Sequence, residues 1–284
     1  MTGGSAEGFK MNKELAKAAQ ALGVPVGTGS IRVLLEHPEL DEHFALKAYA
    51  PDVPLMANIG AVQVRDLPAA RLDELMGRVG ADALVIHLNP GQELFQDDGD
   101  TDFRGLKAAI AAFIARAGYP VIVKETGFGI GPADARFLLD AGAAYVDLAG
   151  SGGTNWATVE GYRGGDEDLA ASAEFSGWGY KTAPLIAASP AEGGRILASG
   201  GLRSGMDLAK ALALGAHAAG VALPLAKAAA EGGAAAVVAY VRRLERVLRA
   251  VMLLTGSRTP ADLARPGVLL RSVEFEAEAK AIAG

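Results

Sequence analysis

The chain contains no cysteine among its 284 residues. That excludes disulfides, thiolate metal sites and a cysteine nucleophile. It also has no excess of positive charge: 27 basic residues face 33 acidic ones, for a net charge of −6. No chain-wide basic field is present to attract nucleic acid or an anionic membrane. No apolar run approaches the roughly 20 residues of a membrane span, and no charged segment followed by a short apolar one opens the chain. The expectation is a soluble, cytoplasmic protein. What the sequence has in quantity is apolar residues, half of the total, and glycine, at 37 residues. That is about twice the usual glycine share. The length suits one α/β barrel, a single domain over residues 1–284.

Short Val/Ile/Leu-rich runs alternate with longer segments of helical period. The runs are Val24–Gly27, Pro54–Ile59, Ala83–Leu88, Pro120–Glu125, Ala144–Leu148, Arg195–Ala198 and Ala218–Ala222. Between them lie predicted helices over Met11–Leu22, Leu67–Val79, Phe103–Ala117, Pro132–Ala141, Thr182–Ala188 and Met206–Leu214. A longer amphipathic helix is predicted over Ala234–Thr255, and Thr259-Pro260 reads as the cap and first residue of a short final helix. The alternation implies a parallel sheet covered by helices. Each run ends in small or polar residues, among them Thr28-Gly29-Ser30, Asn58, His87, Lys124 and Ser199-Gly200-Gly201. Functional groups gathered at many strand ends favour a barrel over a doubly wound sheet, which would gather them at one switch point. The link Thr154–Gly177, with its acidic, glycine-containing stretch Arg163–Gly177, reads as a partly mobile lid or loop.

Two strand ends carry most of the chemistry. Ser199-Gly200-Gly201-Leu202-Arg203-Ser204-Gly205 lies between a strand and a helix. There glycines let the backbone approach a phosphate, helix N–H groups point at it and Arg203 adds a charged fork. Gly152-Gly153-Thr154 is a candidate third wall beside it. The second end is the block Ile86–Gly105, IHLNPGQELFQDDGDTDFRG, in which His87, Asn89, Gln92 and Glu93 crowd the end of an apolar run. Asp97, Asp98, Asp100 and Asp102 look like a metal cluster, but a solvated loop with Asp102 capping a helix at Phe103 is the preferred reading. Lys124 is either a strand-end lysine reaching solvent or a cation facing a ligand; position favours the ligand. Glu125 is expected to point away from it.

The HLNxxQE strand end followed by GDxDFxG resembles the type 2, FMN-dependent isopentenyl-diphosphate isomerases, and the likeness covers essentially the whole chain. The resemblance implies a (β/α)8 TIM barrel that uses FMN and Mg²⁺. In that family the positions of Ser30 and Asn58, with the backbone of Met1, Thr2 and Gly3, hold the flavin ring. Those of Thr154, Gly201, Leu202, Arg203, Ala222 and Leu223 lie at or near its phosphate, and Lys124 faces its N1/O2 edge. Ser30, Ile31, Arg32, His87 and Asn89 match substrate-binding positions. Gln92 and His87 match the catalytic ones, Gln92 touching the alkene, and Glu93 matches the Mg²⁺ ligand.

The implied reaction is a 1,3-proton shift that converts isopentenyl diphosphate to dimethylallyl diphosphate, a step of isoprenoid biosynthesis. NAD(P)H would prime the flavin without stoichiometric consumption. No His/Asp dyad or cysteine stands here for that chemistry, and Gln92 alone is a poor general base. The resemblance also implies a symmetric homo-oligomer, a tetramer or octamer. One departure stands out: only seven strands are visible, and the opening Met1-Thr2-Gly3-Gly4 reads as the loop after a first strand. The expectation is a barrel lacking that strand and the basic segment before it, with weakened FMN binding and turnover. The alternatives are an FMN-dependent 2-hydroxyacid oxidase or dehydrogenase and an inactive flavin- or phosphate-binding barrel. The oxidase normally needs a histidine in the segment Ala149–Thr154, which has none.

Overall fold

Ser5 starts the first helix, Ala6–Leu22, by accepting a hydrogen bond from the Gly8 N–H at 3.1 Å, and Gly23 ends it in the left-handed region at φ 66°. The extra turn before Met11 lacks apolar periodicity and owes its place to this cap. The strand β1 (Val26–Ser30) follows, then three short 3-10 turns, Ile31–Leu35, Pro38–His43 and Leu46–Ala48. The further strands are β2 (Leu55–Gly60), β3 (Ala83–Leu88), β4 (Val121–Glu125), β5 (Tyr145–Asp147), β6 (Ile196–Ala198) and β7 (Ala218–Ala219). The computed structural model describes residues 3–189 and 194–284.

The chain groups into two compact units. The first comprises Met1–His87, Gly105–Ile122 and Ala222–Arg242, and the second Leu88–Arg104, Val123–Val221 and Arg243–Gly284. In the first, β1 and β2 pair in parallel, with Ser30 opposite Asn58, and β2 pairs with β3, with Gly60 opposite His87. Its core contains Ile31, Leu34, Phe44, Leu46, Leu55, Ile59, Leu72, Leu75, Leu84 and Ile86, all shielded from solvent. In the second unit β5, β6 and β7 pair in parallel, with Val146 opposite Ile196 and Leu197 opposite Ala218. Seven parallel strands in chain order, separated by helices, are the topology of an α/β barrel.

Several elements depart from the sequence expectation, each for a local reason. The link after β5 is not a loop but two helices, Trp156–Gly161 and Asp166–Ala173, with a 3-10 turn at Glu174–Gly177. The acids that read as solvated loop, Asp166, Glu167 and Asp168, occupy a helical first turn, where the helix dipole favours negative charge. Asp102 does not cap a helix at Phe103. It accepts from the Arg104 backbone and guanidinium, and the helix Leu106–Arg116 starts after Gly105, at φ 75°.

The long C-terminal helix starts before Ala234: Leu223–Leu254 is continuous in position but broken at Gly232 and Gly233, where Glu14 accepts the Ala234 N–H at 2.9 Å. Thr259 starts a 3-10 turn, Pro260–Ala264, and a further helix, Val273–Ala283, follows that the sequence pattern had not signalled. The latter is exposed along most of its length, so it lacks the apolar stripe by which helices are read.

The helix Gly205–Ala213 fixes the loop that precedes it. Ser204 and Asp207 form a capping box, and Ala209 and Leu212 pack in a cluster with Leu263. A Cβ on buried Gly205 would run into the Leu244 carbonyl and the Val247 side chain. Gly205→Ala should therefore destabilise the fold by about 1–3 kcal/mol, read as a lower urea midpoint at unchanged m-value.

Candidate active site

In the second unit the chain turns sharply after β3. Pro90 opens a single helical turn, Pro90–Glu93, that swings Gln92 and Glu93 to the same side. Both side chains are buried, and both are tied down. The Asn89 amide donates to Glu93 Oε1 at 2.6 Å and to Gln92 Oε1 at 3.3 Å, and Glu93 Oε2 accepts the Asp100 N–H at 2.9 Å. Gln92 Nε2 donates to Glu160 Oε1 at 2.8 Å, and the other oxygen of Glu160 meets Arg163 at 2.9 Å. Glu160 is only 3% exposed. A buried carboxylate held by an amide and a guanidinium keeps its charge at lower cost. A carboxylate thus stands against Gln92, an amide that by itself is a poor general base.

Across β4 and β5 stands a second charged group. Lys124 donates to the Glu125 carbonyl at 2.6 Å and lies in the field of Asp147. Burial pushes the Lys124 ammonium below its usual range and the Asp147 carboxyl above its own, and the attraction between the two opposes both shifts. Asp147 Oδ1 also accepts from Ser199 Oγ at 2.7 Å and from the Ala149 N–H at 3.2 Å. Ala149 itself is held at φ 43°, a left-handed conformation that costs a non-glycine residue energy. The Glu125 carboxylate turns to its own loop, accepting from the Gly127, Phe128 and Gly129 N–H groups, and adds a smaller attraction to Lys124 than Asp147 does.

The glycine loops after β5 and β6 interlock. Gly153 lies 3.0 Å, by the position of its missing Cβ, from the Gly201 nitrogen, and a Cβ on Gly201 would strike the Gly152 carbonyl. Gly200 and Gly201 both take positive φ, 95° and 89°. The Arg203 guanidinium donates to the Gly152 and Gly201 carbonyls at 3.1 and 2.8 Å, lying over this cradle. The backbone N–H groups of Arg203 and Ser204 go to Asp207 at 3.0 and 2.9 Å. A capping box of Ser204 and Asp207 thus closes the start of the helix Gly205–Ala213, and the glycines and Arg203 lie beside it. Thr154 closes the side of Gly127, whose Cβ position is 2.8 Å from the Thr154 carbonyl. A narrow cradle of backbone that only glycine can line fits a phosphate group.

The first unit places other expected residues together. His87 Nδ1 and Asn58 Oδ1 are 2.7 Å apart, which fixes the His87 ring. Ser30 accepts the Arg32 N–H at 3.3 Å and so starts the turn on which exposed Arg32 stands. Ile31 is buried in the core, so only its backbone is available to a ligand. Ala222 and exposed Leu223 begin a helix. Gly3 is at φ 109°, and Met1 and Thr2 lie outside the described residues. Among the described residues no three His, Cys, Asp or Glu side chains gather as a metal site, so the aspartates after Phe95 form none. Glu93, with one carboxylate and amide neighbours, suits a Mg²⁺ ion held mostly by substrate oxygens and water.

Sequence reasoning missed Glu160 and Asp147. Asp147 was detectable as a lone charge inside an apolar strand; nothing in the sequence links Glu160 to Gln92.

The profile of the FMN-dependent dehydrogenase family matches residues 89–269. An isopentenyl-diphosphate delta-isomerase of Borreliella afzelii is 44% identical over 263 residues, covering 92% of this chain and 74% of the relative. One of Thermococcus kodakarensis is 44% identical over 271 residues, 92% of this chain and 72% of the relative. Among solved structures, a lactate oxidase of Pediococcus acidilactici superposes with a TM-score of 0.61 at 21% identity, covering 93% of this chain and 73% of that one. A mandelate oxidase carrying an FMN adduct superposes at 0.56 and 23% identity, covering 89% and 72%. These last two share the fold.

The interlocked loops give a direct test of the cradle. Gly201→Ala should lower affinity for FMN at least tenfold, because the added Cβ meets backbone and the φ is unfavourable. Gly77→Ala, where nothing stands within 4 Å, should leave it unchanged. Quenching of flavin fluorescence on titration reads both.

Proposed function

The chain belongs to the isopentenyl-diphosphate delta-isomerase family, and on that premise we propose that it converts isopentenyl diphosphate to dimethylallyl diphosphate with reduced FMN and Mg²⁺. The observation that carries the reading is the buried Gln92–Glu160 contact beside Glu93, on a chain 44% identical to named isomerases over more than nine-tenths of its length. The reaction needs one proton delivered to a poorly basic alkene and another removed two carbons away. Bound reduced FMN would supply the proton-transfer chemistry at the alkene, with NAD(P)H needed only to reduce it beforehand.

This chain's residues supply the rest. Gln92 orients the alkene and Glu160, through its hydrogen bond, holds the Gln92 amide and stands by as a proton acceptor. Glu93 would hold Mg²⁺, whose role would be to neutralise diphosphate charge. His87, with its ring held by Asn58, and Arg32 bind diphosphate; Ser30, the Ile31 backbone and Asn89 complete the substrate contacts. Ser30, Asn58 and Gly3 serve the flavin ring, and so do Met1 and Thr2. Gly201, Leu202, Arg203, Thr154, Ala222 and Leu223 serve its phosphate. Lys124, already short of solvation, gains most from an anionic partner, which is what the N1/O2 edge becomes on reduction. The working form is a cytoplasmic homo-oligomer.

The test is turnover of isopentenyl diphosphate by purified protein with FMN, NADPH and Mg²⁺, the product identified by NMR, with lactate and mandelate as control substrates. Formation of dimethylallyl diphosphate supports the reading. Oxidation of the hydroxyacids without isomerisation overturns it.

Two variants probe the assigned roles. Lys124→Ala should weaken reduced FMN more than oxidised FMN, so the midpoint potential of the bound flavin should fall; equal weakening of both forms removes the lysine from that role. Glu93→Gln should keep the flavin spectrum and lose Mg²⁺-dependent turnover by about tenfold or more, and normal turnover at limiting Mg²⁺ refutes the metal assignment.

A further inference from the structure

Glu125 ends β4 next to Lys124, is buried, and has no part in the chemistry above. One of its oxygens, Oε2, accepts from three successive backbone N–H groups, those of Gly127, Phe128 and Gly129, the last at 3.0 Å. A carboxylate that gathers three N–H groups holds them more firmly than a neutral acceptor does. The loop it clamps presents one large side chain, Phe128. That ring lies against Gly91 so closely that a Cβ on Gly91 would fall within it. From the other side the Phe128 carbonyl accepts the Tyr180 N–H at 2.9 Å, and a Cβ on Gly179 would come 2.6 Å from the same oxygen. Phe128 is thus pinned on its backbone by Glu125 and Tyr180 and offers its ring as a fixed seat. Gly91 is the residue before Gln92 and Glu93, in the single turn Pro90–Glu93. A turn this short has few internal hydrogen bonds with which to hold its own shape.

We propose that Glu125 is a positioning residue for the Gln92–Glu93 turn, acting through the loop Gly127–Gly129 and the Phe128–Gly91 contact. The proposal rests on the reading of Gln92 and Glu93 given above. Its geometric content can be measured without turnover. A neutral amide at position 125 keeps the shape, but it places a weaker acceptor among three donors and adds an N–H of its own. The clamp loosens, the ring shifts and the turn loses its seat, whereas the Glu125 carbonyl that receives Lys124 is unchanged.

The test uses the full chain loaded with oxidised FMN, in three variants, Glu125→Gln, Gly91→Ala and Glu93→Gln. Hydrogen–deuterium exchange over residues 89–96 reports the turn, and Mn²⁺ affinity by electron paramagnetic resonance, with inorganic diphosphate present, reports the metal ligand. Glu125→Gln and Gly91→Ala should each speed exchange over 89–96 and weaken Mn²⁺ by about tenfold, the usual effect of losing a group that orients a ligand. In Gly91→Ala, whose new Cβ meets only the Phe128 ring, FMN affinity should stay within about twofold. Unchanged exchange over 89–96 in Glu125→Gln overturns the proposal. If Glu125→Gln does not fold, a fourth variant, Phe128→Leu, decides it: it takes the ring from Gly91 without altering residues 89–96, and unchanged exchange there overturns the proposal. If Glu93→Gln binds Mn²⁺ normally, the metal reading fails, and the exchange result still decides whether Glu125 positions the turn.

Discussion

Carboxylates withdrawn from water at strand ends and in the segments that follow them impose the strictest condition on this fold. An ionised carboxyl out of water is costly unless hydrogen bonds or a counter-charge replace the water. The second unit meets that condition in four different ways. Glu93 takes an amide and a backbone N–H. Glu160 takes an amide and a guanidinium. Glu125 takes three backbone N–H groups of its own loop. Asp147 takes a hydroxyl, a backbone N–H and the field of Lys124. Glu93, Glu125 and Asp147 each fix a different piece of backbone through the N–H groups they accept, while Glu160 fixes two side chains.

The same economy separates two kinds of loop. In the loops after β5 and β6 the structure removes side chains: Gly152, Gly153, Gly200 and Gly201 bring backbone against backbone, and Arg203 donates to the Gly152 and Gly201 carbonyls. At the turn Pro90–Glu93 it keeps side chains and restrains them. Asn89 joins Gln92 to Glu93, and Glu160 holds Gln92 from a helix 68 residues further on. Preorganisation of this second kind matters because a misplaced group loses much of its effect on a transition state.

Lys124 and Asp147 tie β4 and β5 to the start of the glycine-rich loop. Asp147 reaches Ser199, the first residue of the glycine-rich loop, and balances the lysine on the neighbouring strand. A lysine that burial has already made reluctant to hold its proton responds strongly to any new anion beside it. That property depends on the tertiary environment rather than on the residue type.

The sequence by itself determined the strands, their parallel order and the places where chemistry gathers. Seven apolar runs with polar ends can be satisfied only by a covered parallel sheet, and His87, Asn89, Gln92 and Glu93 declare themselves by crowding one such end. Local physics suffices there, because apolar periodicity and turn chemistry act over a few residues. It does not suffice for the link after β5, where Asn155 and three acids make helices out of what reads as loop. Nor does it suffice for Phe128 beneath Gly91, for Asp147 at Ser199 or for Glu160 at Gln92. Those partners are far apart in the chain, and only the fold decides which distant donor relieves a buried charge.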